Sequence, residues 1–481
     1  NFIMKKLAAK LWAVLMLILI SMQSMATDVF TSNRTDFRDE SIYFMITTRF
    51  YDGDPKNNVL CWDNQAAQIE TKDPCWRGDF QGVIDKLDYI KALGFTAIWI
   101  TPVVQNASGY DYHGYHAMDF QHVDCRYQSG DGSKSGDVMF QELIDKAHAK
   151  GIKIILDIVL NHTGNFGEEK LCKLFDRNTQ LRNQAYIDAC MTPTETLGSD
   201  YLTILPKDQY HRRLTMMKNM DGQNRDIHNY WHHYGQFGWD DPSRWWGQIA
   251  GDCVDLNTEN DEVAKYLVDC YGQFIKMGVD GFRIDTSGHI SRLTFNHQFV
   301  PQFAALGEKY KDKRINQAPF FMYGEVCTRG HEATYRGQAN LSCYFYTWKS
   351  DESLMNQWDG SQSFWDSQVL PEGSGPIGPQ ALCGKETFGD KKSENAKMIN
   401  GAWHEPDYSE ASGFNVIDFP MHYSYNTAKD AFRLSAEDEL YNDATYNVVY
   451  IDSHDYSPGP NDLNRFGGTD AQWAENLSLL F

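Results

Sequence analysis

Short apolar runs alternate with amphipathic stretches along the chain from about residue 42 onwards. Seven of the runs are predicted to be strands, and they comprise residues 42–46, 97–100, 152–160, 281–285, 320–326, 414–419 and 446–451. After the first run, Val83, Leu87 and Ile90 recur at the spacing of one helix face, and Gly94 follows them as a typical helix end. Strands that alternate with helices in this way predict a parallel sheet with crossover helices.

Two intervals between the predicted strands are much longer than one helix requires. The first interval, residues 163–255, is rich in Tyr, Trp, His and Asn and predicts a small domain inserted after the third strand. The second interval, about residues 328–412, contains a stretch rich in Pro and Gly at 371–379 and predicts an insertion over the edge of the sheet. The main domain then comprises residues 27–162 and 256–481.

The N-terminal segment has the composition of a secretory signal peptide. Lys5 and Lys6 precede a short apolar run at residues 7–20, and Ala26 follows as a small exit residue. The apolar run is too short for a membrane span, so we predict a signal peptide over residues 1–26 that is cleaved after Ala26. We therefore expect a secreted or periplasmic protein with no stable membrane span after cleavage.

The net charge limits the possible binding partners, and the cysteine spacing limits the roles of the cysteines. The 481 residues carry a formal net charge of -21, which argues against nucleic acid as a partner because phosphate binding needs clustered Lys and Arg. The 10 cysteines have no C-x2-C spacing of a zinc site, and their even number is compatible with disulfides in an exported protein. Cys61/Cys75 and Cys172/Cys190 are spaced so that each could pair, but the pairing stays open. We expect a monomer.

Polar side chains gather at the C-terminal ends of four predicted strands. They are Asp157, Asn161 and His162 on the third strand, Arg283, Asp285 and His289 on the fourth, Glu325 on the fifth, and His454 and Asp455 on the seventh. One acidic residue at a strand end is usually a cap or a loop hydrogen bond. Four strands that end in this way favour a functional site, because active sites form where the ends of parallel strands converge.

The fourth and fifth strands carry two carboxyl groups suited to different roles. Side chains alternate along a strand, so Arg283 and Asp285 lie on the same face, where the guanidinium can hold the carboxylate ionised as a glycosyl nucleophile requires. A purely structural ion pair is the alternative. Glu325 ends an apolar run, where a carboxylic acid tends to keep its proton and suits a general acid. Glycoside hydrolysis needs two such carboxyl groups beside the bond that is cleaved.

The chain resembles the α-amylase family of glycoside hydrolases through four short motifs in the family's order. These motifs are residues 157–162 (DIVLNH), 281–289 (GFRIDTSGH), 324–326 (GEV) and 450–455 (YIDSHD). Two further segments, 254–256 (VDL) and 110–115 (YDYHGY), resemble a short motif near the end of the family's inserted domain and its sugar-stacking segment. The resemblance implies a (β/α)8 barrel with a small domain inserted after the third strand. We expect its eighth strand and a C-terminal β-domain to be missing from this sequence.

The resemblance also implies roles for individual residues. Asp285 is then the nucleophile, Glu325 the acid/base, and Asp455 the third carboxylate, which stabilises the distorted sugar. Arg283 supports the nucleophile. Contacts to the sugar are implied for Tyr115, which stacks on the ring, and for His113, His162 and His454.

Members of the family usually carry a structural Ca²⁺. Its implied ligands are the side chains of Asn161 and Asp255 and the backbone carbonyl of His289, an all-oxygen set that suits this cation. A further ligand is expected within residues 163–251. Asn161 and Asp255 could instead cap loops.

Two departures from the family pattern bear on the reaction. Gly288 stands where many amylases have Lys, so a contact on the leaving-group side is absent or supplied elsewhere. Residues 250–253 (AGDC) lack the aromatic residue of cyclodextrin-forming relatives. The favoured function is therefore retaining hydrolysis of internal α-1,4 bonds in starch or maltodextrins. The alternatives are a transglycosylase, a relative that acts on cyclodextrins or branched dextrins, and a non-catalytic glucan-binding protein.

Overall fold

The structure is a computed structural model that describes part of the chain. The described residues are 29–58, 77–106, 113–164, 199–200, 228–239, 241–249, 253–328, 341–371, 373–387, 393, 408–424, 439–450 and 453–455. The predicted signal peptide, most of the predicted inserted domain, the Cys61/Cys75 and Cys172/Cys190 pairs and everything after residue 455 lie outside them. No two of the described cysteines are joined by a disulfide bond. None of the helices in the described ranges is both long and apolar enough to span a membrane.

The strands of the described residues are, in chain order, β1 (Ile42–Met45), β2 (Ala97–Ile100), β3 (Val104–Asn106), β4 (Ala117–Val123), β5 (Lys153–Val159), β6 (His162–Gly164), β7 (Cys253–Asp255), β8 (Gly281–Asp285), β9 (Phe321–Gly324) and β10 (Asn415–Val416). Six of them are parallel and form the central sheet, in the order β1-β2-β5-β8-β9-β10. Strand β3 pairs antiparallel with β4, and β6 with β7. The last pair joins the two ends of the interval that is predicted to hold the inserted domain.

The structure confirms six of the seven predicted strands, although β10 has only 2 residues. The seventh prediction, a continuous strand over 446–451, is wrong at its start. Tyr446 ends a 3-10 turn, Ala444–Tyr446, in which the side chain of Asp443 accepts a hydrogen bond from the backbone N of Thr445. Val448 then makes a single parallel bridge to Ile417, next to β10.

Helices follow most strands of the sheet. They are α1 (Phe80–Ala92), α2 (Gly136–Ala149), α3 (Asp261–Met277), α4 (Arg292–Thr294), α5 (Val300–Lys309), α6 (Cys343–Tyr346), α7 (Glu352–Met355), α8 (Gln362–Asp366), α9 (Pro379–Cys383) and α10 (Phe419–Ser424). Local sequence sets their ends: Asn260 caps the start of α3 by accepting from the backbone N of Glu262, and Gly278 ends it with a φ of 110°. The four short helices α6 to α9 lie in the interval predicted as an insertion over the edge.

The sheet is buried on both faces and curves. Along β2, Ile98 and Ile100 pack against the outer helices, whereas Ala97 and Trp99 belong to a second cluster on the inner face. The ring of Trp99 lies 6.1 Å from that of Tyr323, three strands away, so the inner face is concave. The curvature brings the carboxyl ends of the strands to one enclosed edge.

Candidate active site

One guanidinium binds three carboxyl groups at the carboxyl ends of three adjacent strands. Arg283 of β8 is buried, and its Nη1 lies 3.1 Å from both oxygens of Asp157 and 2.7 Å from Oδ1 of Asp285. Its Nη2 lies 2.8 Å from Oε2 of Glu325. The strand register explains the convergence, because Asp157 of β5 is the Cα partner of Arg283 in the parallel ladder. The predicted pairing of Arg283 with Asp285 is therefore observed.

Burial dominates the acid–base properties of Asp285 and Glu325. It raises the pKa of both carboxyl groups, while the charge of Arg283 acts in the opposite direction. The negative charge of Asp285 further raises the pKa of Glu325. Two neighbouring carboxyl groups that share one cation do not ionise independently, so the pair is suited to hold one proton.

The backbone after β8 and the backbone after β9 are bonded to each other. The backbone N of Glu325 donates to the carbonyl of Ile284, and the backbone N of Gly288 donates to the carbonyl of Glu325; both donor–acceptor distances are 3.0 Å. Thr286, which follows Asp285, has a left-handed φ of 44°. A non-glycine residue in this region is strained, and such strain is typical of functional sites. Here the turn aims the backbone N of Thr286 at Oε2 of Glu325, 3.4 Å away.

Asp455 lies beside this pair and is more exposed to solvent. Its carboxylate contacts Nε2 of His454 at 3.1 Å, and its side chain is 45% exposed. Its negative charge raises the pKa of Asp285, which places the two carboxyl groups within electrostatic reach. Asp455 therefore lies near the pair formed by Asp285 and Glu325.

The aromatic residues predicted to bind sugar surround the same carboxyl groups. The Tyr115 ring lies parallel to the His454 ring, with centroids 5.8 Å apart and an interplanar angle of 2°. The Tyr115 hydroxyl lies 3.0 Å from Nε2 of His454 and donates to Oδ2 of Asp157 over 3.0 Å. Nε2 of His162 lies 3.1 Å from the Tyr115 carbonyl, and Nδ1 of His113 accepts from the Tyr115 backbone N at 3.1 Å.

Two members of the site were not assigned by sequence reasoning. Asp157 was recognised in a motif but given no role, and it is fully buried with a pKa that burial raises to about 8. The indole of Trp99 donates to Oδ2 of Asp157 over 3.1 Å, and the Arg283 guanidinium lies 5.1 Å from its ring centroid. Asp157 lies in an apolar run that predicts a strand buried along its whole length. This position could have indicated that Asp157 belongs to the site, because a buried carboxylate needs a partner.

The predicted calcium ligands lie in the adjoining region. Nδ2 of Asn161 donates to Oδ1 of Asp255 over 2.9 Å, and Oδ2 of Asp255 lies 2.6 Å from Nδ1 of His232. Burial lowers the pKa of His289, and the charges of Arg244 and His162 lower it further. Nδ1 of His289 lies 3.1 Å from the carbonyl of Arg244. Over the described ranges, no group of three or more His, Cys, Asp and Glu side chains is arranged to hold a metal ion.

His232 was not identified from the sequence. Burial would lower its pKa, but Glu259 and Asp255, one at each ring nitrogen at 2.6 Å, raise it to about 10. His232 is therefore a buried cation that balances two carboxylates. Its partners are distant in sequence, so only the fold reveals this role.

Parallel strands that alternate with helices, with an acidic cluster at their carboxyl ends, are typical of the class of β/α-barrel enzymes. Residues 44–347 match the family model described as alpha amylase, catalytic domain, which is more than half of the 481 residues. The chain belongs to the alpha-amylase family, whose catalytic domain implies a (β/α)8 barrel.

Individual relatives are distant and longer than this chain. A cyclomaltodextrin glucanotransferase of Bacillus sp. (strain 1011) is 30% identical over 328 residues, which are 66% of this chain and 38% of that protein. The periplasmic alpha-amylase of Escherichia coli (strain K12) is 26% identical over 366 residues, which are 62% of this chain and 49% of that protein. The chain thus spans less than half the length of these two relatives.

A solved structure supports the fold. The crystal structure of CldA, a cyclomaltodextrin glucanotransferase, aligns with 92% of this chain and 69% of that chain at a TM-score of 0.53. The sequences are 20% identical, so the likeness concerns the fold alone.

Proposed function

We propose that this chain is a retaining α-glucan hydrolase that cleaves internal α-1,4-glucosidic bonds of starch or maltodextrins. One observation carries the proposal: Asp285 and Glu325 bind the same Arg283 guanidinium at the ends of adjacent strands in a chain of the alpha-amylase family. Retaining enzymes hold their two carboxyl groups about 5 Å apart, whereas inverting enzymes separate them by about 6.5–9.5 Å to admit a water molecule. Two carboxyl groups on one guanidinium suit the shorter separation.

In the first step, Asp285 is the nucleophile. Its Oδ attacks the anomeric carbon as the bond from that carbon to the leaving-group oxygen breaks, and Glu325 donates its proton to that oxygen. Arg283 orients the attacking carboxylate through the 2.7 Å contact and offsets its burial. The raised pKa of Glu325 keeps its proton available for the leaving group.

In the second step, Glu325 acts as a base. It removes a proton from a water molecule, whose oxygen attacks the anomeric carbon and displaces the Asp285 carboxylate. The sugar leaves with its original configuration, and both carboxyl groups return to their starting protonation states. Asp455 stabilises the positive charge that develops on the sugar ring in both steps.

Tyr115, His113, His162 and His454 form the wall on which the sugar rests. Asp157 and His454 hold the Tyr115 hydroxyl and His162 contacts the Tyr115 backbone carbonyl, so little conformational entropy is lost when a sugar packs against the ring. His162 and His454 are proposed to form hydrogen bonds with hydroxyl groups of the bound sugar.

We also propose a structural Ca²⁺ at Asn161 and Asp255. The amide of Asn161 faces Oδ1 of Asp255, and a half-turn of that amide would set two oxygens side by side, an arrangement that a hard cation stabilises. The carbonyl of His289 is the third proposed ligand. Bound there, the ion would tie β6 and β7 to the turn after β8.

We also propose export to the periplasm or the medium, as a monomer. The support is the composition of residues 1–26 and the relative that is named as a periplasmic alpha-amylase. N-terminal sequencing of the protein recovered from the medium and periplasm tests the cleavage after Ala26.

Product analysis on soluble starch tests the reaction. Internal hydrolysis predicts a rapid fall in iodine staining, maltodextrins of decreasing length, and an α-anomeric product that is seen by NMR before mutarotation. The closest rival is a glucanotransferase, favoured by the 30% identity to a cyclomaltodextrin glucanotransferase. Closed rings, or oligosaccharides that grow in length, would establish that rival instead.

A further inference from the structure

Arg244 reaches from outside the sheet into the turns that carry Asp285 and Glu325. It lies in a 3-10 turn, Pro242–Trp245, that Asp241 caps by accepting from the backbone N of Ser243, and it is fully buried. Its Nη2 donates to the carbonyl of Cys327 over 2.9 Å, just after β9. Its own carbonyl lies 3.1 Å from Nδ1 of His289, just after β8. Arg244 therefore bridges the two turns.

The guanidinium occupies space that a side chain at position 288 would need. A Cβ added to Gly288 would overlap Nη2 of Arg244 and lie 3.1 Å from its Cζ. The guanidinium is confined there, because it is buried, holds the Cys327 carbonyl and lies 5.7 Å from the Trp239 ring centroid. The φ of Gly288 is not in the left-handed region, so the Arg244 side chain is the reason for a glycine here.

We propose that Arg244 is a positioning residue that occupies the space beside Gly288 and holds Glu325 in place for proton transfer. The inference rests on the proposed hydrolytic function. The Glu325 carboxylate binds Arg283, as the Asp285 carboxylate does, but the Glu325 backbone lies in the turn after β9. In this turn Glu325 N donates to the Ile284 carbonyl, Gly288 N donates to the Glu325 carbonyl, and Arg244 donates to the Cys327 carbonyl two residues further on. Loss of the Arg244 bond loosens the turn that carries the acid, whereas the backbone of Asp285 stays paired within the sheet.

The test compares two substrates that differ in their need for an acid. Cleavage of maltohexaose requires a proton on the leaving oxygen, whereas the fluoride of α-maltosyl fluoride leaves with little acid assistance. We expect Arg244→Met to lower kcat/KM on maltohexaose about 100-fold, as expected for an acid displaced by about 1 Å, and on the fluoride less than about 3-fold. Equal losses on both substrates would overturn the proposal.

Arg292 provides a matched control. It is also a buried arginine, but its guanidinium binds Glu386 at 2.7 Å and the carbonyl of Phe345 at 3.3 Å. We expect Arg292→Met to lower the unfolding temperature and to reduce both rates in the same proportion. If Arg292→Met lowers the rate on maltohexaose relative to the fluoride as strongly as Arg244→Met does, any buried arginine has this effect. That result would refute a specific role for Arg244.

Gly288→Ala keeps Arg244 and therefore provides the test if Arg244→Met does not fold, and a double-mutant cycle extends it. In the otherwise unchanged protein, Gly288→Ala is expected to lower the maltohexaose rate as Arg244→Met does, because the added Cβ displaces the guanidinium. In an Arg244→Ala background, the same change is expected to lower that rate no further. Arg244→Ala combined with Gly288→Lys is expected to recover part of the maltohexaose rate, because the lysine enters the vacated space. Additive losses, or no recovery, would contradict the proposal.

The activity of the parent protein on the two substrates distinguishes a failure of the proposed function from a failure of the proposed role of Arg244. A parent that cleaves neither substrate refutes the proposed function itself. If the parent cleaves both substrates and the Arg244 variants lose both activities to the same extent, only the role of Arg244 is refuted.

Discussion

Nη1 of Arg283 lies 2.7 Å from Oδ1 of Asp285, two residues further along the same strand. The same guanidinium also binds Asp157 and Glu325, so one positive charge serves three buried carboxyl groups. If all three carboxyl groups were ionised, their negative charge would exceed the single positive charge of Arg283. The carboxyl groups reduce this excess by retaining protons. The general acid therefore depends on the same cation that orients the nucleophile.

Replacement of Arg283 is expected to destabilise the protein in a pH-dependent way. Arg283→Met leaves buried carboxyl groups without their cation, which typically costs about 3–5 kcal/mol of unfolding free energy. Loss of the cation raises the pKa values of these carboxyl groups further above their unfolded values. The destabilisation is therefore small below the unfolded pKa and grows as the pH rises, which urea unfolding at pH 5 and pH 8 measures. A loss that is larger at pH 5 would contradict this account.

Neutral replacements of Asp285 and Glu325 are expected to separate activity from folding. Asp285→Asn and Glu325→Gln should each lower kcat on maltodextrins by at least about 10²–10⁴-fold, because each removes a group that takes part in the reaction. Both variants should unfold at or above the temperature of the parent, since burial already penalises the two charges. Calorimetry and a reducing-sugar assay measure both effects. Retained activity in both variants would reject the assignment.

Asp455→Asn is expected to shift the acidic limb of the pH profile. The negative charge of Asp455 raises the pKa of Asp285, so its removal lowers that pKa and leaves the nucleophile ionised at lower pH. The acidic limb of kcat/KM should therefore move to lower pH, on a smaller overall rate. The profile is measured on α-maltosyl fluoride to keep the rate detectable. A shift to higher pH would show that Asp455 does not act on Asp285 in this way.

Tyr115 variants are expected to distinguish stacking from hydrogen bonding. Tyr115→Phe keeps the ring but loses the 3.0 Å hydrogen bond to Asp157, and we expect a loss of less than about 10-fold, equivalent to about 0.5–1.5 kcal/mol. Tyr115→Ala also removes the aromatic surface and should raise KM for maltodextrins much more strongly. Michaelis constants for maltotriose and maltohexaose provide the readout. Equal effects of the two variants would exclude a stacking role.

Chelation is expected to lower the unfolding temperature if Ca²⁺ binds at Asn161 and Asp255. A ligand that binds only the folded state stabilises it in proportion to the logarithm of its free concentration, so unfolding should respond to added CaCl₂. Asn161→Ala should abolish the response. Calorimetry of the apo protein across a calcium series measures it, and an unmoved transition would remove calcium from the proposal.

The sequence predicted the elements of the fold well where burial was uniform. The runs at 97–100 and 152–160 became strands within one residue of the predicted ends, because a strand buried on both faces leaves a nearly continuous apolar signal. The run at 446–451 was less informative. A hydrogen bond from the backbone N of Thr445 to the side chain of Asp443 favours a turn there, and this local competition is not visible in hydrophobicity alone.

The sequence by itself determined which residues are available for chemistry and, through strand alternation, that Arg283 and Asp285 share a face. Only the tertiary structure decided that Asp157 joins their cluster, that Tyr115 meets His454 across 339 positions, and that Arg244 fills the space left by Gly288. Local patterns encode the direction of a side chain along its own strand. The contacts between strands follow from register and sheet curvature, which depend on how the whole chain packs.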